Sequence, residues 1–195
     1  LSRSARAHVD RDLQALQQAK VRGCIDEISD ELATVAKLAD IIVVCTPVDQ
    51  IAAHVLTAAR HCRAKTLITD SGSTKVNIVE AVERGLARKR LFIGSHPLCG
   101  SEKRGPEFAR ETLFDGRLVI LTATELTPAL AIHRATTFWE SLGGRIWGMT
   151  AEDHDRTLAL TSHLPHLVGS ALAGLLHPGL AGFAATGFRD TTRLA

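Results

Sequence analysis

A histidine that ends an apolar run and is followed by proline and glycines is a candidate for proton chemistry. In Phe92-Ile93-Gly94-Ser95-His96-Pro97-Leu98-Cys99-Gly100-Ser101-Glu102-Lys103-Arg104-Gly105, His96 is that residue, and the sequence reads as a strand running into a Gly/Pro-rich turn that holds it. An imidazole has a reference pKa near 6.5, so it can accept a proton at neutral pH. Upstream, Lys65-Thr66-Leu67-Ile68-Thr69-Asp70 opens into Ser71-Gly72-Ser73-Thr74-Lys75, which places hydroxyls on a second polar loop after the same kind of strand. The hydroxyls of Ser73 and Thr74 could also cap a helix starting at Lys75. His163 and His166 lie three apart and would share a helix face, a spacing open to a metal site, but no third ligand cluster accompanies them.

The elements that must position these groups alternate through the first three quarters of the chain. Ile41-Ile42-Val43-Val44-Cys45, Thr66-Leu67-Ile68-Thr69, Leu91-Phe92-Ile93 and Leu118-Val119-Ile120-Leu121 are short continuous apolar runs, the pattern of strands buried on both faces. Helical segments are expected around Arg11 to Val21, Val48 to Arg60, Lys75 to Ala87 and Pro128 to Leu142, joined by right-handed βαβ crossovers. The expected class is therefore α/β with a doubly wound, Rossmann-like sheet, whose ligands bind beyond the carboxyl ends of the strands. After Trp147 the pattern changes. Thr150-Ala151-Glu152-Asp153 resembles a capping box, and a long helical run follows through Leu175, with Pro165 kinking it or starting its second half and His177-Pro178-Gly179 ending it. A domain boundary is expected near Met149, giving domains over 1–149 and 150–195.

Composition narrows the function classes. The 195 residues are 45% hydrophobic and 23% charged, enough for a substantial core. The formal net charge of +2 comes from interspersed signs and aromatics are scarce, which disfavours nucleic-acid binding. Cys24, Cys45, Cys62 and Cys99 lack C-x-x-C spacing, and Cys45 falls inside an apolar strand run, as expected of reduced thiols in a cytoplasm. No run reaches the roughly 18 apolar residues of a membrane span, and no signal-peptide order is present, so a cytoplasmic protein is expected. Leu1-Ser2-Arg3-Ser4 reads like the end of a strand. No G-x-G-x-x-G occurs, and the expectation is that the first strand and its glycine turn, roughly 30 residues with their helix in a Rossmann unit, precede Leu1. Thr192-Arg193-Leu194-Ala195 carries no terminating signal, so truncation is expected at both ends.

Five ordered motifs together resemble one family, the prephenate/arogenate (cyclohexadienyl) dehydrogenases of tyrosine biosynthesis. They are Ala39-Asp40 through Cys45-Thr46-Pro47-Val48, Thr69 to Lys75, Gly94 to Gly105, Thr161-Ser162-His163-Leu164-Pro165-His166, and Gly187-Phe188-Arg189-Asp190-Thr191-Thr192-Arg193-Leu194-Ala195. The resemblance implies an oxidoreductase with a dinucleotide-binding Rossmann domain and a helical substrate and dimerisation domain. Such an enzyme oxidises the ring hydroxyl of prephenate or arogenate with loss of carbon dioxide, passing hydride to NAD(P)+ and giving 4-hydroxyphenylpyruvate or tyrosine. It implies that His96 is catalytic and bonds the ring hydroxyl, and that Ser73 touches both that hydroxyl and the nicotinamide side. Hydride can leave the hydroxyl-bearing carbon only as the O–H proton is drawn off, which is the task an imidazole suits. Arg193 matches the ring-carboxylate arginine, since a bidentate guanidinium suits a carboxylate. Arg189 could bind substrate, pair with Asp190 or line a partner subunit's pocket. His166 reads as a substrate-side group or a buried structural histidine, with His163 beside it. Ser101 and Glu102 stand where the family commonly has Thr-Glu. The family needs no metal, and a homodimer is expected of the complete protein.

For the cofactor, a Rossmann domain that prefers NAD usually ends its second strand in a carboxylate, whereas arginine there accommodates the NADP phosphate. Ser2, Arg3 and Ser4, with Arg6 nearby, favour NADP slightly. An alternative alignment that puts Val9-Asp10-Arg11-Asp12 at the strand end restores NAD. Thr46, Pro47 and Val48, with Asp70 and Ser71, are expected along the dinucleotide, and Pro47 also suits a plain helix start. The competing readings are an incomplete non-catalytic fragment and another 3-hydroxyacid-type Rossmann dehydrogenase. The latter leaves His96 together with Arg193 unexplained.

Overall fold

A computed structural model of the chain describes residues 5–87, 90–100, 103 and 105–193. Two compact units divide between Ala151 and Glu152.

In the first unit the apolar runs form a five-stranded sheet. Its strands are β3 (Ile41–Val44), β4 (Leu67–Asp70), β5 (Leu91–Pro97), β6 (Leu118–Thr122) and β7 (Arg145–Gly148), side by side in that order. Two short strands, β1 (Ala7–Val9) and β2 (Glu27–Ser29), pair in parallel as a separate ribbon. The helices are α1 (Leu13–Val21), α2 (Leu32–Leu38), α3 (Val48–His61), α4 (Val76–Gly85) and α5 (Ala129–Ser141).

Strand alternation divides the core. Ile68 and Phe92 point into a cluster with Ile51, Val55 and Ala58 of α3 and Ile78 and Val82 of α4. Leu67, Leu91 and Ile93 point the other way, against Ala131, Ala135 and Trp139 of α5. A strand covered on both faces must be apolar at every position, which is why these runs do not alternate.

The structure departs from the sequence reading in four places. The strand near the N-terminus is Ala7–Val9, and the expected strand end at residues 1–4 lies outside the described residues. The elements β1, β2, β7 and α2, three to seven residues each, are too short to show a period in the sequence. Strand β6 runs antiparallel to β5, so the sheet is not wholly parallel. The link over 98–117 holds only the 3-10 turn Pro106–Phe108 among its described residues, because an antiparallel partner needs no helical crossover. Cys45 is exposed just past β3 rather than enclosed in it.

The second unit is helical. α6 (Ala151–Leu158) passes through a π-helical turn, Ala159–His163, into α7 (Leu164–Gly174), and after the 3-10 segment Pro178–Phe183 comes α8 (Thr186–Thr192). The expected single run is thus interrupted just before Pro165, which stands in the first turn of α7. Proline has no N–H for the carbonyl of Thr161 and its ring would crowd that carbonyl, so the turn widens there. No helix among the described residues is long and apolar enough to cross a membrane.

Candidate active site

Three neighbouring parallel strands deliver polar loops to one edge of the sheet. β3, β4 and β5 run in register, Val44 beside Asp70 and Thr69 beside Ile93. Their carboxyl ends therefore present Cys45 to Val48, Ser71 to Lys75, and His96 together. The Ser71 N–H donates to the Val44 carbonyl at 3.1 Å, extending the β3–β4 ladder one step into the loops. This edge is where an open α/β sheet binds its ligand.

His96 belongs to β5 itself, opposite Ile120 of β6, and not to the turn expected from the glycines and proline. Strand alternation puts it on the same face as Phe92 and Gly94, the face that α3 and α4 cover, and it is half-buried there. A strand holds its side chain more firmly than a turn would, which suits a group that must meet a proton at a fixed place. Ser73 is exposed on the loop beside it. The cap position of α4 is Lys75, whose own side chain makes no cap bond.

Asp70 is not on the surface of the site. It is fully buried, and its carboxylate pairs with the equally buried ammonium of Lys75 and accepts from the N–H groups of Gly72 (2.9 Å) and Ser95 (3.1 Å). Burial pushes its carboxyl above the usual range, while Lys75 and the two N–H donors pull it back. The sequence expectation that Asp70 touches a cofactor is corrected accordingly: it supports the loop from beneath. Lys75 and Ser95 were not singled out from sequence, because a lysine and a serine signal burial only once their partners are placed.

Gly72 is tightly enclosed. A Cβ there would lie 2.8 Å from the Cδ1 atoms of Ile51 and Ile78 and 2.9 Å from Asp70 Oδ2. Gly72→Ala is therefore expected to lower stability by about 1–3 kcal/mol, read as a reduced urea midpoint at unchanged slope. A midpoint equal to that of the parent protein would contradict the packing.

On the β3 loop, Thr46 Oγ1 lies 3.0 Å from His54 Nδ1 of α3, and Pro47 and Val48 are exposed at the start of that helix. Burial around the Cys45 sulfur pushes its thiol pKa up, while interaction with the Ser71 side chain draws it back. β1 ends at Val9, and the next residue is the exposed Asp10. Arg6 at the other end of β1 is engaged by Asp26, at 3.1 Å, and by the Gly23 carbonyl.

In the second unit His163 closes the π turn and His166 lies in the first turn of α7, both exposed. Arg189 on α8 and Arg193 just past it are four residues apart, and both are exposed. Ser2, Arg3, Ser4, Ser101 and Glu102 lie outside the described residues.

The model of the prephenate dehydrogenase nucleotide-binding domain matches residues 5–148, and that of the prephenate dehydrogenase dimerization domain matches residues 150–195. The chain belongs to the prephenate dehydrogenase family. Within the family it is 36% identical over 177 residues to the cyclohexadienyl dehydrogenase of Zymomonas mobilis, covering 87% of this chain and 60% of that protein. It is 34% identical over 191 residues to the prephenate dehydrogenase of Bacillus subtilis, covering 94% and 51%. The chain thus spans about half to three-fifths of the length of these curated relatives. Among solved structures, prephenate dehydrogenase from A. aeolicus in complex with hydroxyphenyl propionate and NAD+ superposes with a TM-score of 0.89 at 30% identity, over 99% of this chain and 69% of that one. The Rossmann-like α/β assignment of the first unit rests on these matches as well as on the sheet.

Proposed function

We propose that this protein oxidises the ring hydroxyl of a cyclohexadienyl acid, prephenate or arogenate, with loss of carbon dioxide and reduction of NAD+. The observation that carries this reading is the convergence of His96 and the Ser71–Lys75 loop at the carboxyl edge of adjacent strands, in a chain of this family.

The residues fit a nicotinamide dinucleotide. The carboxyl edge of β3 and β4 offers Thr46, Pro47, Val48 and Ser71 along its path, and Asp10 follows the end of β1 where a carboxylate can bond a ribose diol. When bound, the nicotinamide accepts hydride from the hydroxyl-bearing carbon. His96 takes the hydroxyl proton as that carbon becomes a carbonyl, and the ring aromatises as its carboxylate leaves as carbon dioxide. Ser73 holds the hydroxyl oriented toward the imidazole. Within the helical unit, Arg193 is the group suited to a substrate carboxylate, and Arg189, His163 and His166 are further polar candidates for substrate. Ser101 and Glu102, on the segment after Pro97, complete the substrate side.

The position of β1 supports NAD+ over NADP+: the strand ends beside Asp10, and Arg6 is already tied to Asp26. A carboxylate there repels a 2′-phosphate and binds a free diol. Replacing Asp10 with serine should cost about ten- to a hundred-fold in kcat/KM for NAD+, the worth of a charge-assisted hydrogen bond, and should leave or raise that for NADP+. An unchanged ratio between the two cofactors would remove Asp10 from the site.

Two copies pair through the helical unit, where Leu160, Leu167, Leu175 and Phe183 are exposed. Sedimentation velocity over a range of concentrations tests this, and a monomer throughout would refute it. The reaction itself is tested by initial rates with prephenate and arogenate, each with NAD+ and with NADP+. Turnover with NAD+ and one of the acids is expected, and silence in all four from folded protein would sink the reading.

A further inference from the structure

The buried pair Asp70–Lys75 sits between the two groups that the proposed reaction uses and touches the residue before each of them. Asp70 Oδ2 accepts from the N–H of Gly72, the residue before Ser73. Ser95, the residue before His96, is held at every polar atom. Its N–H donates to Asp70 Oδ1 at 3.1 Å, its carbonyl accepts from Lys75 Nζ at 2.8 Å, and its hydroxyl donates to the Asp70 main-chain carbonyl. Thr69 Oγ1 adds a contact of 2.9 Å to the same hydroxyl and donates to the Ile93 carbonyl.

The pairing of the strands explains why this clamp is needed. The β4–β5 ladder ends at Thr69 beside Ile93, whereas β5 continues to Pro97 along β6 alone. Beyond Ile93 the edge of β5 that faces β4 has no strand partner for Ser95. The carboxylate of Asp70 and the ammonium of Lys75 take that place, one accepting and one donating. The carbonyl that Lys75 holds belongs to the peptide linking Ser95 to His96, so its orientation sets the plane from which the His96 side chain departs. Gly94, the residue before Ser95, is itself tightly enclosed: a Cβ there would lie 2.5 Å from Thr122 Oγ1 and 3.1 Å from Val79 Cγ2.

We propose that the Asp70–Lys75 pair is a positioning device, which fixes the loop bearing Ser73 and the strand end bearing His96 relative to one another without touching substrate. Its catalytic meaning rests on the function proposed above, while its structural content does not. Both members are fully enclosed, so neither can meet a ligand in this arrangement.

The test separates positioning from mere stability. The double variant Asp70→Asn/Lys75→Met removes both charges together, so no orphaned charge remains to unfold the protein. It keeps an acceptor for one N–H and loses the donor to Ser95. Expected are a cooperative unfolding transition, a fall in kcat on the order of 100-fold from misplacement of the reacting groups, and KM and dinucleotide affinity within about threefold of the parent protein. In parallel, 1H–15N spectra should show the His96 ring and Ser73 amide signals, assigned through His96→Asn and Ser73→Ala, displaced or doubled. An undiminished kcat, or a loss confined to KM, overturns the proposal. If the parent protein turns over neither acid, the functional reading fails and the spectra alone decide: unchanged His96 and Ser73 signals overturn the positioning role, and displaced ones uphold it. Should the double variant not fold, Lys75→Arg, which keeps a buried cation beside Asp70 but shifts its donors away from the Ser95 carbonyl, is judged by the same criteria.

Discussion

Replacement of His96 by asparagine should lower kcat by about 10²–10⁴-fold, the range for losing a positioned general base. Asparagine keeps a polar side chain of similar reach in β5 and cannot take the proton. Because Gly94, Ser95 and Pro97 hold the strand in register with β6 whatever side chain follows, the variant should fold normally and bind dinucleotide as the parent protein does. The measurement is steady-state turnover across pH 5–9 together with a dinucleotide titration. The parent kcat/KM should fall on the acid side as the imidazole becomes protonated and can no longer accept, and the variant should lose that limb. Equal turnover in the two proteins would show that the proton leaves by another route.

Replacement of Arg193 by glutamine should instead act on binding. A charge-assisted bond from a guanidinium to a carboxylate is worth about 1.5–3 kcal/mol, or roughly ten- to a hundred-fold in affinity. The substrate KM should rise by that amount, with a smaller change in kcat, because the carboxylate is bound in the ground state as well as in the transition state. Arg193 is exposed just after α8, so its loss should not alter the unfolding midpoint. A reduced kcat at unchanged KM would place it at the reacting atoms. No change in either would return it to the surface.

The two expectations differ in how directly they follow from the chain. The apolar runs at residues 41–45, 66–69, 91–93 and 118–121, which fall on β3 to β6, were legible because strands covered on both faces leave no polar alternation. Helices α3, α4 and α5 followed from the segments between them. The family was legible in five motifs spread along the chain, since each carries residue types that packing alone does not demand. The weak ribbon of β1 and β2 was not, because three residues with exposed positions offer no period to detect. The residues behind the slight preference for NADP, Ser2 to Ser4, lie outside the described residues.

By itself the sequence determined the alternating α/β order, the change to helix after Trp147, and the resemblance to one enzyme family. Only the tertiary structure decided that His96 stands within a strand, that β6 reverses direction, and that Asp70 lies beneath the site with Lys75. The reason is physical. Periodicity reports which face of an element is apolar, a property of neighbours along the chain, whereas strand direction and the burial of a charge depend on partners that the fold brings from elsewhere. An aspartate five residues before a lysine looks like solvated charge until Ser95, twenty residues beyond that lysine, arrives to complete the enclosure.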